Sequence, residues 1–236
     1  MAGGFAYTLL TEWSTAGEGV EPLQGVEPLQ GAISGDKGLN PLRGLKPEQR
    51  FLLLSDGSLT RELEFLSGGR ARVEAVVEFT ATCKLTDEAA AYLEEASQKP
   101  AMQREVWLIA GRTPEGGGTP EGGGRRLVYA QTIIPIDRVE KGLLNVLEME
   151  SNVPLGRLLS QRKIAVCKDR LEVAVLRCPK AALDLGLGVD TPLMARRYIL
   201  FNRDSSGEPP QGGTWIIKAG ITEVFSPAVI PAAWPI

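Results

Sequence analysis

The chain has 236 residues, a net charge of −3 and a hydrophobic fraction of 43%, which is ordinary for a packed globular domain. The acidic balance argues against a nucleic-acid partner, which needs a basic face. The absence of histidine excludes a histidine base and removes the commonest metal ligand. Three cysteines without CxxC spacing are typical of a reducing compartment. No segment approaches the roughly 18 apolar residues of a membrane span or resembles a signal peptide, so we predict a cytoplasmic protein.

Two short tandem repeats divide the chain. The hexapeptide GVEPLQ occurs twice over 19–30, and TPEGGG occurs twice over 113–124. Both are rich in Gly, Pro and Glu, and they cannot bury enough apolar surface to offset the chain entropy lost on folding. We therefore predict a disordered extension over 1–41 and one domain over 42–236, interrupted by a flexible insertion at 113–124.

Apolar periodicity and capping residues predict the elements of this domain in chain order. Ser58 and Thr86 are N-cap residues for two helices. Apolar and charged residues alternate between Arg72 and Thr82, which is typical of a half-buried strand. The predicted elements are helices 49–54 and 59–66, strand 72–82, helix 86–97, strands 103–112 and 126–136, helices 137–150 and 155–159, and strands 170–176, 194–202 and 214–225. Hairpin-linked strands with a few helices indicate an α+β fold with an antiparallel sheet.

Two of the predicted strands carry one charge each on an otherwise apolar face. Glu223 shares its face of strand 214–225 with tryptophan, isoleucine, alanine and phenylalanine residues. Arg104 shares its face of segment 102–110 with methionine, valine, leucine and alanine residues. Burying an unpaired ion costs several kcal/mol even after relaxation, so such charges are paired or functional.

Three interpretations of these two charges stay open. In the first, Glu223 and Arg104 form a structural ion pair. In the second, a bulge at Gly220 turns Glu223 outward. In the third, both residues line an enclosed site, in which the arginine binds the anionic end of a small ligand and the glutamate binds its polar end.

Six segments resemble the chorismate lyase family and follow that family's order. The first, FLLLSDGSLTRELE at 51–64, is similar to the family's N-terminal helix–turn–helix segment. The resemblance extends with gaps to residue 227, and it includes both Arg104 and Glu223, which the strand pattern singles out independently. The other five segments are REVWL at 104–108, VYAQTIIPI at 128–136, PLGRLL at 154–159, RRYIL at 196–200 and TEVFSP at 222–227.

The resemblance implies a fold, a reaction and a site. The family has a single domain with a six-stranded antiparallel sheet and an internal ligand site behind helical flaps. Its members are carbon–oxygen lyases that split chorismate into 4-hydroxybenzoate, a prenylquinone precursor, and pyruvate, without a cofactor or metal. By this resemblance, Arg104 and Glu223 are the catalytic residues. Arg104 binds the ring carboxylate, Glu223 meets the ring hydroxyl, and the backbone amides of Leu59 and Leu155 also bind the substrate.

The sequence departs from the family at one position next to this site. Better-known members have Gly-Arg-Thr where this chain has Ala130, Gln131 and Thr132. Gln131 therefore replaces a positive charge that would assist with the second, enolpyruvyl carboxylate of chorismate. Arg157 and Arg197 are the candidates to replace that charge.

Two alternatives to a lyase stay open. Bacterial transcription regulators contain a sensor domain of the same fold, but they carry a basic DNA-binding domain ahead of it, and the composition of 1–41 does not predict one. The other alternative is a family member that binds an aromatic acid without turnover, which the change to Gln131 favours. The predicted partners are the substrate chorismate and the product 4-hydroxybenzoate, or an aromatic acid in the non-catalytic alternative.

Overall fold

Six long antiparallel strands form the sheet in the computed structural model, which describes residues 2–3, 8–9, 14–15, 42, 44–67, 72–111, 124–149, 153–202 and 215–232. The strands are β1 (Val73–Leu85), β2 (Pro100–Ala110), β3 (Arg125–Pro135), β4 (Val166–Arg177), β5 (Pro192–Asn202) and β6 (Lys218–Phe225). Their order across the sheet is β1-β2-β3-β6-β5-β4. The predicted α+β fold with a six-stranded antiparallel sheet is confirmed.

Helices cover both faces of the sheet. They are α1 (Pro47–Leu54), α2 (Leu59–Leu66), α3 (Asp87–Leu93), α4 (Lys141–Met149), α5 (Leu155–Gln161) and α6 (Pro179–Asp184). Leucines of α1, α2, α4 and α5 pack on one face, which we call the cavity face, and alanines of α3 and α6 pack on the other. No helix in the described part of the chain is long and apolar enough to cross a membrane.

The alternation predicted for the two strands with single charges is confirmed. Arg104 and Glu223 both lie on the cavity face, whereas their neighbours Glu105 and Val224 lie on the opposite face. Because helices cover both faces, the side chains of central strand β3 are buried without interruption from Leu127 to Pro135.

Several predicted boundaries differ from the observed ones. The helix predicted over 86–97 ends at Leu93, because Glu94 adopts a left-handed conformation with φ of 53°. The helix predicted over 137–150 is instead a 3₁₀ turn, Ile136–Arg138, followed by α4. The last strand begins at Lys218 rather than at residue 214. Helix α6 was not predicted at all.

The predicted N-terminal extension contributes three two-residue strands at the sheet edges. Ala2–Gly3 pairs in parallel with β1, and Thr8–Leu9 and Ser14–Thr15 pair antiparallel with β4. These six residues are paired, whereas we predicted disorder throughout 1–41. The insertion predicted at 113–124 lies outside the described residues except for Gly124, and the domain boundary at residue 42 stays a prediction.

Candidate functional site

A cavity of about 320 Å³ lies between the cavity face of the sheet and the N-terminal ends of α2 and α5. This volume is at the lower end of the range for small-ligand pockets. Apolar side chains of four strands contribute to its lining, namely Val106, Leu108, Ala130, Leu200 and Ile221. The four residues predicted to form the site all line this cavity: Leu59, Arg104, Leu155 and Glu223.

The strand register fixes the separation of the two predicted catalytic residues. Arg104 is the cross-strand partner of Thr132, and Thr132 is the partner of Ile221, two residues before Glu223. The Cα atoms of Arg104 and Glu223 are thus two strand spacings apart across the sheet and two residues apart along the strand direction, which is a separation of about 12 Å. Apolar residues of the cavity lining lie between them.

Two side chains of β5 hold the carboxylate of Glu223, which is 5% exposed. Arg196 Nε donates to Glu223 Oε2 at 2.5 Å, and the Tyr198 hydroxyl donates to Oε1 at 3.0 Å. The ion-pair partner of Glu223 is therefore Arg196 and not Arg104. Gly220 lies in regular register with both neighbouring strands, so the interpretation with a bulge at Gly220 is wrong as well.

Arg196 connects this carboxylate to the end of α1. The side chain is fully buried, and its Nη1 donates to the backbone carbonyls of Leu52 and Ser55. Burial, the largest single effect, lowers the pKa of Arg196, but the charge of Glu223 and its hydrogen bond, together with Tyr198 and Glu62, outweigh burial and raise it. Burial, followed by the charge of Glu223, raises the pKa of Tyr198 well above its usual value, so its hydroxyl stays a hydrogen-bond donor.

Arg104 is 2% exposed and lies two strands away from Glu223. Its Nη2 donates to the carbonyl of Val153 at 3.3 Å, just before the N-terminus of α5. Burial lowers the pKa of Arg104 to about 10, so the guanidinium still carries its charge at neutral pH. This buried cation suits a carboxylate ligand.

Leu59 and Leu155 are the first residues of α2 and α5. The first amides of a helix have no partner within the helix, so these two N–H groups are available for other acceptors. The N-cap residues, Ser58 and Pro154, make no capping hydrogen bond through their side chains. Both amides thus lie at helix N-termini beside the cavity, and their contacts with a ligand stay a prediction.

Contacts between α2 and α5 hold the two helices together over the cavity. Arg157 forms an ion pair with Glu64 at 2.6 Å, and Arg61 Nη2 donates to the Ser160 hydroxyl at 2.8 Å. The helix ends are close enough that a Cβ atom at Gly156 would lie 3.2 Å from the Ser58 hydroxyl oxygen. A larger residue at position 156 would therefore require the Ser58 side chain or the helix ends to shift by a few tenths of an ångström.

Lys168 is a further cation in the cavity wall, and the sequence analysis did not identify it. Its Nζ donates to the carbonyls of Gly57 at 2.7 Å and Ser55 at 3.2 Å, and it lies 4.6 Å from the ring centroid of Tyr198. Burial, followed by the charge of Arg196, lowers the pKa of Lys168 to about 8. Lys168 is thus a cation close to the Glu223 end of the cavity.

The charges around the cavity favour an anionic ligand. Three of the lining residues are cations and two are carboxylates, namely Arg61, Arg104, Lys168, Asp56 and Glu223. The charge of Glu223 is already balanced by Arg196. The cations at the cavity therefore exceed the unbalanced carboxylates.

Arg157 and Arg197, the candidates to replace the positive charge absent at position 131, do not line the cavity. Arg157 is paired with Glu64, and Arg197 donates to Glu172 at 2.5 Å. The side chain of Gln131 lies on the opposite face of the sheet, where it donates to Glu105 at 3.4 Å. Position 131 therefore supplies no group to this cavity, and the expectation that Gln131 removes a charge from the site is wrong.

Two features of the sequence concealed Arg196 and Lys168. The strand predicted over 194–202 has one arginine on each face, so alternation alone does not distinguish Arg196 from Arg197 as the residue on the cavity face. Lys168 lies in β4, which begins at Val166, four residues before the predicted start at Arg170. A register shift between Asp169 and Glu172 interrupts the alternation that would have revealed this part of the strand.

Comparison with solved structures gives relatives of low sequence identity. PhnF from Mycobacterium smegmatis is 18% identical with a TM-score of 0.49, and the match covers 73% of this chain and 65% of PhnF. A putative transcriptional regulator from Streptomyces coelicolor is 19% identical with a TM-score of 0.43, over 67% of this chain and 89% of that one. A GntR-family transcriptional regulator from Bacillus cereus is 12% identical with a TM-score of 0.46, and the match covers 70% of this chain and 95% of that one.

A comparison with curated proteins gives no match. A family model described as chorismate pyruvate-lyase Rv2949c-like matches residues 53–232. The matched segment includes every residue of the cavity lining, from Asp56 to Glu223. Because the match spans well over half of the sequence, the chain belongs to the chorismate pyruvate-lyase Rv2949c-like family.

Proposed function

We propose that the protein is a chorismate lyase that converts chorismate into 4-hydroxybenzoate and pyruvate in this cavity. One observation carries the proposal: Arg104 and Glu223 line the same cavity at a separation that suits opposite ends of one ring. Membership of the chorismate pyruvate-lyase family supports the reaction. The resemblance to chorismate lyases also supports a cytoplasmic enzyme whose product enters prenylquinone biosynthesis.

The chemistry of chorismate explains why few groups suffice. Chorismate has a carboxylate on C1 of a non-aromatic ring, an enolpyruvyl ether on C3 and a hydroxyl on C4. In the reaction the C3–O bond breaks, the hydrogen on C4 leaves as a proton, and the released enolpyruvate takes up a proton to become pyruvate. Because the ring becomes aromatic, the enzyme has to supply mainly orientation and charge placement.

Each predicted residue then has a defined contact. Arg104 binds the C1 carboxylate, and the amides of Leu59 and Leu155 donate further hydrogen bonds to the ligand. Glu223 meets the C4 end of the ring, oriented by its contacts with Arg196 and Tyr198. At this position the carboxylate has two candidate roles, as base for the C4 proton or as acceptor for the C4 hydroxyl, and substitution of Glu223 separates them.

The second candidate function is an aromatic-acid binder without turnover. A specific observation favours it, since both carboxylate oxygens of Glu223 already accept hydrogen bonds from the protein. A carboxylate held in this way is also what a purely structural ion pair would give. In this case Arg104 binds the ring carboxylate and no bond of the ligand is broken.

Incubation of the purified protein with chorismate tests the proposal. We expect 4-hydroxybenzoate and pyruvate to form in equal amounts. Chromatography measures the 4-hydroxybenzoate, and a coupled dehydrogenase assay measures the pyruvate. Glu223→Gln and Arg104→Ala should lower the rate, which excludes a contaminating lyase. Binding of 4-hydroxybenzoate by calorimetry without any turnover would favour the binder instead, and absence of both turnover and binding would contradict both functions.

A further inference from the structure

Lys168 is a cation of the cavity wall close to Glu223 and Tyr198. We propose that Lys168 binds the enolpyruvyl carboxylate of the substrate and so selects ligands with two carboxylates over ligands with one. This inference rests on the proposed function, because it assigns a contact to the part of chorismate that the product 4-hydroxybenzoate lacks. It identifies Lys168 as a specificity-determining residue.

The hydrogen bonds of Lys168 leave it able to bind a ligand. An ammonium group has three N–H donors. Within the described part of the chain, two of them point to the carbonyls of Gly57 and Ser55, in the turn between α1 and α2. These two contacts fix the position of Nζ in the cavity wall, and one donor is left for an acceptor inside the cavity.

The position of Lys168 matches the geometry of the substrate. The ether oxygen on C3 is next to the hydroxyl on C4, so the enolpyruvyl carboxylate projects from the same end of the ring as the hydroxyl. In the proposed orientation that end lies at Glu223 and Tyr198. Nζ of Lys168 is 4.6 Å from the centroid of the Tyr198 ring, on the same side of the cavity.

The other cations near the cavity are committed elsewhere. Arg104 is assigned to the ring carboxylate, two strands away from Glu223. Arg196 contacts Glu223 and two backbone carbonyls, and it does not line the cavity. Arg61 has an exposed side chain that donates to the Ser160 hydroxyl. The geometry therefore leaves Lys168 for the second carboxylate.

A contact between Lys168 and the second carboxylate would also affect product release. When the ether bond breaks, 4-hydroxybenzoate keeps its contact with Arg104 but has no group for Lys168. Pyruvate leaves with the second carboxylate. The cavity therefore holds the dianionic substrate by two cations and the monoanionic product by one, which favours exchange of product for substrate.

A ligand pair that differs in the second carboxylate tests the inference without any turnover. The monocarboxylate is 4-hydroxybenzoate, and the dicarboxylate probe is 3-(carboxymethoxy)-4-hydroxybenzoate, which is already aromatic and does not react. Calorimetry at neutral pH gives both affinities for the wild type, Lys168→Met and Lys168→Arg. Lys84→Met is the matched control, because Lys84 lies exposed on β1 and does not line the cavity.

We expect Lys168→Met to weaken binding of the dicarboxylate by about ten- to a hundredfold, the effect of losing one charge-assisted hydrogen bond, and to leave 4-hydroxybenzoate affinity within about twofold. Lys168→Arg should keep most of the selectivity, and Lys84→Met all of it. Equal weakening of both ligands would overturn the inference, because it would mean that Lys168 only holds the turn at Ser55 and Gly57. Unchanged binding of both would overturn it as well.

Failure of the inference and failure of the proposed function are distinguishable. A protein that releases no 4-hydroxybenzoate from chorismate, but loses dicarboxylate selectivity on Lys168→Met, is a binder in which Lys168 has the inferred role. A lyase in which Lys168→Met leaves both selectivity and the KM for chorismate unchanged contradicts the role of Lys168 alone. If Lys168→Met does not fold, the selectivity of Lys168→Gln relative to Lys168→Arg decides.

Discussion

Arg196 and Glu223 are cross-strand partners on β5 and β6, and their side chains form an ion pair at 2.5 Å on the cavity face of the sheet. Arg196 is fully buried, so it depends on this carboxylate for charge compensation. Glu223 is therefore required both by the fold and, in the proposed function, by the reaction. Any substitution of Glu223 has to be measured for stability and for turnover separately.

Glu223→Gln should lower the turnover number by about 10²–10⁴ if the carboxylate acts as a general base. It should also reduce the free energy of unfolding by about 3–5 kcal/mol, because Arg196 is left as an uncompensated buried charge. Affinity for 4-hydroxybenzoate should change much less, since an amide still meets a neutral hydroxyl. Single-turnover kinetics and thermal unfolding measure the two effects on the same protein.

Glu105→Gln is the matched control for this substitution. Glu105 is also buried, and it accepts a hydrogen bond of 2.6 Å from the Tyr129 hydroxyl, but it lies on the opposite face of the sheet and does not line the cavity. We expect this variant to lose stability and keep its turnover number. If folded Glu223→Gln turned over chorismate at the wild-type rate, Glu223 would have a structural role alone.

Arg104→Ala should weaken binding of chorismate and 4-hydroxybenzoate alike, by roughly ten- to a hundredfold, because both ligands carry the ring carboxylate. Arg104→Lys should restore binding only in part, since a point charge does not reproduce the two-pronged contact of a guanidinium. Calorimetry with 4-hydroxybenzoate measures both variants. Unchanged affinity in Arg104→Ala would remove this residue from the site.

The sequence was sufficient to predict the sheet and the two isolated charges, because both depend on local alternation. Arg104 and Glu223 stand out since a charge on an apolar face is costly without a partner. The partner itself depends on the register between strands: β5 and β6 are consecutive strands of a hairpin, but the alternation within each strand does not fix which residue of β5 lies opposite Glu223. The ion pair with Arg196 was therefore not predictable from alternation.

Position 131 illustrates how a resemblance without geometry misleads. Alternation along β3 puts Ala130 and Thr132 on the cavity face and Gln131 on the other, where it contacts Glu105. This alternation follows from strand geometry alone. Applied to residues 130–132, alternation predicts that Gln131 lies on the opposite face, so a second cation of the cavity has to come from another strand.

Binding of a dicarboxylate should depend on pH through Lys168. Burial, then the nearby Arg196, lowers the pKa of Lys168 to about 8, while the carboxylates of Glu223, Glu62 and Asp56 oppose the shift. We expect affinity for 3-(carboxymethoxy)-4-hydroxybenzoate to fall as the pH rises through about 8, because the ammonium loses its charge.

Calorimetry between about pH 6.5 and about pH 9 measures this dependence, within the range where Arg104 stays charged. In Lys168→Arg the dependence should disappear, since a guanidinium keeps its proton throughout. Affinity for 4-hydroxybenzoate should be constant over the same range in the wild type. A fall of equal size for both ligands would contradict a contact between Lys168 and the second carboxylate.

The insertion between β2 and β3 should be dispensable. Ala110 and Arg125 are cross-strand partners, so residues 111–124 form the connection of a hairpin. Replacing residues 112–123 by Asn-Gly keeps Gly111, whose amide donates to the Arg72 carbonyl at 2.8 Å. Shortening the connection from 14 residues to four should stabilise the protein by about 1 kcal/mol through loop entropy and leave turnover unchanged. Thermal unfolding and the chorismate assay measure both, and lost turnover would mean that the insertion contributes to the site.

Acid should destabilise the protein through Glu95, at the C-terminal end of α3 and remote from the cavity lining. Burial by itself raises the pKa of this carboxyl, but hydrogen bonds from Arg138, Lys99 and Lys218 outweigh burial and lower it to about 2, from 4.5. A lowered pKa in the folded state stabilises the protein above pH 4.5, and that stabilisation is lost as the pH falls from 4.5 to 2.

The shift corresponds to about 3 kcal/mol of unfolding free energy at neutral pH. Glu95→Gln should lose this contribution at pH 7 and should lose less stability than the wild type between pH 4.5 and 2. Asp190→Asn is the control, because Asp190 is largely exposed and its contact with Arg177 is 3.7 Å long. This variant should keep the wild-type stability at pH 7 and the wild-type loss of stability in acid. Urea unfolding across this pH range measures them. Parallel stability curves for the wild type and Glu95→Gln would show that the three cations do not hold Glu95 in its ionised form.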